Sequence, residues 1–280
     1  MIAMKHPWVL KVGGDELLPG PSLGQVALAV AQCVRRGQPV VLVHGGGDEA
    51  TERAAALGLT TEWRRGQRVT SPEMLEVVAE VLGGRVNVRL VNALDTAGVP
   101  SVGLTGVSAR LLPVTPAGDP PGSLGWVGQP IGARPRLLVK LLDEGFTPVV
   151  APLGTDTHGG VYNVNADLAA ASIAASLSAD LLLLTDVRAV NDAQGRPIAD
   201  LTVRETLALV EHGTARDGMI PKLGACAHAL RRGARSAWIG PLAGLMSGGT
   251  LPQGGTRVGS ARAVASPVPI VPPPASHGAP

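Results

Sequence analysis

The stretch Trp8–Leu17, WVLKVGGDEL, is a short apolar strand that runs through one lysine into two adjacent glycines. A helical apolar period over 22–36 follows it, and a strand turned into a helix by glycine opens a βαβ unit. The next run, PVVLVH (39–44), repeats the device: it ends in Gly45, Gly46 and Gly47 and leads into the helix-forming DEATERAAAL (48–57). Neither strand alternates polar and apolar residues, so both faces are buried, which implies a parallel sheet with helices on either side.

The rhythm continues through a helical region from Ser71 to Ala97, PSVGLT (100–105), a helix near 134–144, TPVVAP (147–152), a helix from Ala166, ADLLLLTD (179–186), a helix from Pro221 and SAWIG (236–240). Two stretches break it. Residues 109–130 alternate valine and leucine with proline and glycine turns, which predicts a β-hairpin excursion over the sheet's edge, placed as a lid. Residues 259–280 hold six prolines and no period, which predicts a disordered Pro/Ala-rich tail.

At 280 residues the chain fits one large α/β unit or two lobes on a shared sheet. An apolar fraction of 45% with a single Phe and a single Tyr makes the core aliphatic and alanine-rich. A net charge of +2 with 16% charged residues argues against nucleic acid as a partner. Cys33 and Cys226 match no metal-ligand spacing and read as buried reduced thiols. The N-terminus lacks an apolar export segment, and the alanine-leucine stretch 166–184 carries Asp167 and Asp180, so a cytoplasmic protein without a membrane span is expected.

Lysine is rare: four residues against twenty arginines. Lys11 inside a strand, and Lys222 after the turn DGMIP, are therefore the cations to explain. Glycine after a buried strand lets backbone approach a ligand, and the following helix offers free N–H groups to an anion. Adjacent parallel strands would set Gly13–Gly14 and Gly45–Gly47 at one carboxyl edge. No lysine follows a glycine, so the Walker pattern is excluded. GGGDEA (45–50) fits a degenerate dinucleotide motif, but the chain continues as EWRRGQRV where a strand ending in an acid belongs. In YNVNADLAAASIA (162–174), two asparagines and Asp167 open a helix, and capping explains one or two of the three.

Taken in order, KVGG (11–14), VHGGG (43–47), GQRVT (66–70), GLTG (103–106), NVNAD (163–167), LLTDV (183–187), DGMIPK (217–222) and GTRV (255–258) resemble the acetylglutamate kinases of the amino acid kinase family. The resemblance implies a three-layer αβα sandwich with a mainly parallel sheet, the carbamate kinase-like fold. It implies an N-terminal lobe over 1–177 for substrate binding and dimerisation, and a C-terminal lobe over 178–258 for ATP. It implies transfer of a phosphoryl group from ATP, with Mg2+, to the γ-carboxylate of N-acetyl-L-glutamate in arginine biosynthesis. Lys11 and Lys222 would then stabilise the phosphoryl group in flight, and Asp167 would hold both lysines. Gly46, Gly47, Arg68 and Asn163 would bind the substrate. Gly13 and Gly14, with 186–191 (Asp186, Val187, Arg188, Ala189, Val190, Asn191) and 214–216 (Thr214, Ala215, Arg216), would bind the nucleotide. No protein metal cage is expected.

The sequence departs from the family at Val107 and Ser108, where an acid and a glycine are usual, and at Ala189, where a glycine is usual. It begins its first strand by Trp8 without the helix associated with arginine-sensitive hexamers, which makes a homodimer the expectation. Two alternatives stay open: a kinase of glutamate or aminoadipate on an acidic carrier protein, docked by the basic run 64–68, and a non-catalytic amino-acid sensor of the same fold.

Overall fold

The computed structural model describes residues 5–64, 67–246 and 252–259. In chain order, β1 (Trp8–Val12) leads to α1 (Pro21–Arg35), β2 (Val40–His44) and α2 (Gly47–Ala56). A small hairpin, β3 (Trp63–Arg64) and β4 (Gln67–Arg68), precedes α3 (Pro72–Val78), a π-helical stretch over Ala79–Val86, and α4 (Asn87–Thr96). Then come β5 (Ser101–Thr105), β6 (Val114–Pro116), β7 (Val127–Pro130), α5 (Arg136–Asp143), β8 (Thr147–Ala151), β9 (Leu153–Thr155), β10 (Val161–Val164) and α6 (Ala166–Ser176). The remainder is β11 (Asp180–Leu184), β12 (Asp200–Thr202), α7 (Val203–Glu211), α8 (Met219–Arg231), β13 (Ser236–Gly240), α9 (Ala243–Met246) and β14 (Thr256–Gly259).

The main sheet has eight strands in the order β12-β14-β13-β11-β1-β2-β8-β5. Neighbours run parallel except β13 and β14. Side chains alternate between two cores, as the pleat requires. Trp8, Leu10 and Val12 pack with α1 and the 72–96 helical region, while Val9, Leu181 and Leu183 pack with α6 and α8. Apolar burial on both faces is the dominant stabilising term for such a layered fold.

β1 is the switch point of this sheet, because the chain proceeds from it to β2 on one side and pairs with β11 on the other. Open α/β sheets bind ligands in the crevice that such a switch leaves at the carboxyl ends of the strands. Both glycine loops lie there and touch: a Cβ on Gly14 would sit 3.0 Å from the backbone of Gly46. Gly46 has φ +139°, and a Cβ there would also strike Leu82.

Three readings of the sequence are corrected. The hairpin over 109–130 does not stand alone over an edge of the main sheet: β6 and β7 join β10 and β9 in a second, four-stranded sheet. The helix from Pro221 begins at Met219, since proline in the first turn removes no intrahelical bond. The strands β12 and β14 and the helix α7 escaped notice, although Thr202 and Glu205 form a capping box that marks the start of α7. Of the expected tail, Gly259 closes β14, and residues 260–280 lie outside the described residues, as does Arg65. Among the described residues, no helix is long and apolar enough to cross a membrane.

Between β5 and β6 the backbone turns through two successive left-handed residues, Ala109 (φ 51°) and Arg110 (φ 54°). This conformation costs an L-residue about 1–2 kcal/mol, against about 0.5–1 kcal/mol of extra chain entropy lost by glycine. Ala109→Gly is therefore expected to stabilise the fold by about 0.5–1 kcal/mol, read as a higher urea midpoint. An unchanged or lower midpoint would contradict strain at this turn.

Candidate active site

Lys11 lies on β1 in the alternation of Val9 and so faces the α6–α8 layer. α6 begins where β10 ends, and Asn165 caps it, its Oδ1 accepting from Asp167 N at 2.9 Å and Leu168 N at 3.1 Å. This cap fixes Asp167 in the first turn, where the helix dipole favours a carboxylate. α8 packs on α6 and carries Lys222 in its own first turn. The three side chains converge: Lys11 Nζ is 3.2 Å from Asp167 Oδ1, and Lys222 Nζ is 3.3 Å from Asp167 Oδ2.

All three are nearly buried, with side-chain exposures of 11%, 14% and 7%. One carboxylate between two ammonium groups leaves the cluster one positive charge in excess, in a place where solvent screens it little. Burial, and next the like charge of Lys11, push the Lys222 pKa below the ordinary lysine value, while Asp167 pulls it back. The Lys222 contact is an aligned hydrogen bond, whereas Asp167 Oδ1 has its cation close by but no aligned donor. Lys11 is thus held at Asp167 by charge at 3.2 Å. Cys226, one helical turn behind Lys222, is fully buried and its thiol pKa is pushed far up by that burial, which makes it inert.

Beside this cluster, over the ends of β2 and β8, lies a cavity of about 170 Å3. Gly45–Gly47 form one wall, with Arg68, Asn163, Trp63 and Leu82 among the others. As cap and first residue of α2, Gly46 and Gly47 present N–H groups that have no intrahelical acceptor. Arg68 is 5% exposed; its Nη2 donates to Gly47 O at 2.7 Å and to Thr51 Oγ1 at 2.8 Å, and its Cζ lies over the Trp63 ring, 4.6 Å from the centroid. Its Nη1 is buried with no protein acceptor among the described residues. Burial lowers the Arg68 pKa, and Asp48 partly offsets this. An anion entering the cavity would meet a guanidinium with one arm already anchored and the other unsatisfied. Asn163 Nδ2 donates to Thr70 Oγ1 at 3.2 Å.

The segments expected to meet the nucleotide lie across β1 from this cavity. Asp186, Val187 and Arg188 are exposed beyond the end of β11, and Ala189 and Val190 turn inward, where Val190 N donates to Thr256 Oγ1 at 2.8 Å. Asn191 bridges to Pro197. Ala215, between exposed Arg216 and half-buried Thr214, shares a core with Val190. A second cavity of about 400 Å3 is lined by Arg188 and Ala189 with Pro197, Ile198, Ala199, Pro241, Gly254 and Gly255. The other expected residues do not line it.

Sequence reasoning missed the apolar and aromatic walls, Val78, Leu82 and Trp63, and the polar pair behind the glycine loop. His44 is fully buried and Asn87 nearly so. His44 Nδ1 is 2.8 Å from Gly45 O, and Nε2 is 3.1 Å from Asn87 Nδ2, which also reaches Val149 O at 3.0 Å and Leu104 O at 3.3 Å. A carbonyl only accepts and an amide nitrogen only donates, so the ring is the neutral Nδ1–H tautomer. Burial, the largest cause, lowers the His44 pKa to about 4.

A fold with two glycine loops meeting at the switch point, and two lysines about one aspartate, has the form of a phosphoryl-transfer protein of the α/β class. The sequence profile of the amino acid kinase family matches residues 7–241, and the chain belongs to that family. Within it, similarity is high to acetylglutamate kinases. That of Dinoroseobacter shibae is 40% identical over 232 residues, covering 82% of this chain and 80% of the relative. That of Chloroflexus aurantiacus is 41% identical over 249 residues, covering 86% and 94%. Among solved structures, N-acetylglutamate synthase of Neisseria gonorrhoeae, in complex with coenzyme A and N-acetyl-glutamate, superposes with a TM-score of 0.79 at 26% identity over 92% of this chain and 61% of that one. Carbamate kinase of Giardia lamblia bound to AMP-PNP shares the fold, with a TM-score of 0.65 at 18% identity over 93% and 100%.

The histidine gives the fold a pH dependence. Its folded pKa lies below the unfolded value of about 6.5, so its contribution is complete above pH 6.5 and is lost as pH falls toward 4. Between those limits the loss is about 3 kcal/mol. In urea titrations the stability gap between the wild type and His44→Asn is expected to narrow by about 2 kcal/mol from pH 7 to pH 4.5. A gap independent of pH would contradict a buried neutral imidazole.

Proposed function

We propose that this chain transfers the γ-phosphoryl group of ATP to the γ-carboxylate of N-acetyl-L-glutamate, giving N-acetyl-L-glutamyl 5-phosphate and ADP, a step of arginine biosynthesis. The observation that carries the reading is the buried, net positive cluster of Lys11, Asp167 and Lys222 beside the touching glycine loops after β1 and β2. A phosphoryl group moving between oxygens spreads negative charge over three equatorial oxygens, and catalysis consists mainly of alignment and cations. Lys11 and Lys222 would supply those cations. Asp167 would keep them apart and aimed, with no need to act as a base, because the attacking carboxylate is already ionised at neutral pH.

The substrate would lie in the cavity over β2 and β8. Its α-carboxylate would take the open arm of Arg68 and the amide of Asn163, and its γ-carboxylate would meet the N–H groups of Gly46 and Gly47. Gly13 and Gly14 would face the phosphates, and 186–191 with 214–216 would hold the nucleoside beyond the end of β11. Magnesium would arrive with the nucleotide: the described residues hold no metal-binding cluster of three or more His, Cys, Asp or Glu, so phosphate oxygens and water would supply its coordination. Residues 1–177 would form the substrate lobe, 178–258 the nucleotide lobe, and two copies a homodimer.

Free substrate is favoured over a carrier-borne one, because both described arginines of the basic run, Arg64 and Arg68, are engaged within the chain. Arg64 pairs with Glu62 at 2.8 Å, and Arg68 is buried. An ATP-coupled hydroxamate assay is expected to give turnover with free N-acetyl-L-glutamate. Turnover with only a carrier-linked acid would overturn that choice, and turnover with no acid would favour a sensor.

Lys222→Ala is expected to lower kcat by ~100- to 1,000-fold, roughly 3–4 kcal/mol, as for loss of one transition-state contact. A loss of tenfold or less would remove Lys222 from the reaction. Arg68→Lys keeps the charge and loses the fork, so KM for the acyl amino acid should rise ~10- to 100-fold with kcat nearly unchanged. A fall in kcat at constant KM would place Arg68 at the reacting group instead.

A further inference from the structure

We infer that His44 is a positioning residue for phosphoryl transfer: it fixes the Gly45–Gly46 peptide so that the N–H of Gly46 stands toward the reacting group. The inference rests on the kinase reading above. A trans peptide carries its C=O and N–H on opposite edges. With Gly45 O held by His44 Nδ1–H at 2.8 Å, the N–H of Gly46 leaves the far edge of that plane, away from the imidazole. It has no protein acceptor among the described residues.

The peptide gains from such a clamp because no side chain of its own restrains it, and beyond the imidazole it has only the packing of the Gly14 loop and Leu82. It joins two glycines, and Gly46 sits at φ +139°, in a region that other residues rarely adopt. A peptide between glycines can flip at little cost, and a flip would turn a carbonyl oxygen toward the incoming phosphoryl group in place of a donor. The clamp is itself braced. Asn87 locks the ring through Nε2 and ties it to Val149 O and Leu104 O, the main-chain carbonyls of β8 and β5. Gly103 makes room for it: a Cβ there would fall on Asn87 Oδ1. Arg89 and Glu49 also bear on the imidazole electrostatically, and they pair with each other. The ring is therefore held in one tautomer by neutral partners on both nitrogens.

Two substitutions divide the two nitrogens. The amide nitrogen of His44→Asn can take the place of Nδ1 and still donate to Gly45 O. The longer His44→Gln reaches the place of Nε2, keeps an acceptor for Asn87, and leaves Gly45 O unheld. With full-length protein, ATP and N-acetyl-L-glutamate, His44→Gln is expected to lose ~10- to 100-fold in kcat with KM within about threefold, as for a misaligned transition-state donor. His44→Asn should stay within about fivefold of wild type. A structural role alone would lower both variants alike, in proportion to the folded fraction, and that result would overturn the inference, as would wild-type kcat in His44→Gln.

A measurement on the unaltered chain guards against a variant that does not fold. In 15N-histidine spectra at pH 7, His44 must show the Nδ1–H tautomer, and an Nε2–H signature would overturn the inference outright. A wild-type chain that phosphorylates no acid would overturn the kinase reading and this inference together. Failure of the His44 assignment alone is seen only against an active wild type.

Discussion

A single carboxylate placed between two ammonium groups is the interaction on which the proposed chemistry depends. Two buried lysines side by side would repel. Asp167 makes their proximity tolerable without cancelling it, since one negative charge cannot neutralise two positive ones. The residual charge is the useful part. It is largely buried, solvent screens it little, and its sign suits an anion. Each supporting element can be read as serving this arrangement: Asn165 caps the helix that carries Asp167, β1 delivers Lys11 from the sheet, and Pro221 starts the helix that delivers Lys222.

The second constraint is the close approach of two backbones. Loops after β1 and β2 can meet at the sheet's carboxyl edge only if neither carries a side chain at the contact, and Gly14 and Gly46 meet that condition. The contact follows Lys11 at the end of β1, and Gly46 on its other side lines the cavity shared by Arg68 and Asn163. Charge, glycine contact and cavity thus occupy successive positions along one crevice, from β11 across β1 to β8. That order is what the proposed division requires, with a nucleotide on one side of β1 and a small acid on the other.

Much of this was legible in the chain because it depends on local rules. Strands buried on both faces, glycines after them, and the scarcity of lysine are properties of short windows, so the parallel sheet and the lysine pair could be read from WVLKVGG and DGMIPK. What could not be read depends on contacts between distant segments. Asn87 sits in the middle of a helical stretch and looks like a solvated residue until the fold sets it against His44, Leu104 and Val149. Leu82 and Val78 follow an ordinary core period, and only the π-helical turn and the neighbouring Gly46 show that they wall a cavity. β12 and β14 are three and four residues long, too short for a period, and β14 gains its place by pairing with β13 and β12.

The departures from the family pattern become intelligible in the same terms. At Ala189 the backbone does not enter the left-handed region, and the methyl group is buried, so the position does not need glycine. The turn after GLTG lacks the usual acid, yet its backbone is still held: Ser108 Oγ accepts from Thr105 N, and Thr105 Oγ1 accepts from Val107 N. Hydroxyl groups thus do locally what local hydrogen bonding asks of a turn. The cost appears two residues on, at Ala109 and Arg110, where left-handed backbone is kept without glycine and Arg110 Nη2 is anchored on Asp156 O at 2.7 Å. Strain at this loop need not disturb the ion cluster, because β1 carries Lys11, α6 carries Asp167 and α8 carries Lys222, and none of these elements belongs to the loop. A chain can therefore abandon the family's residues there while keeping Lys11, Asp167 and Lys222 together.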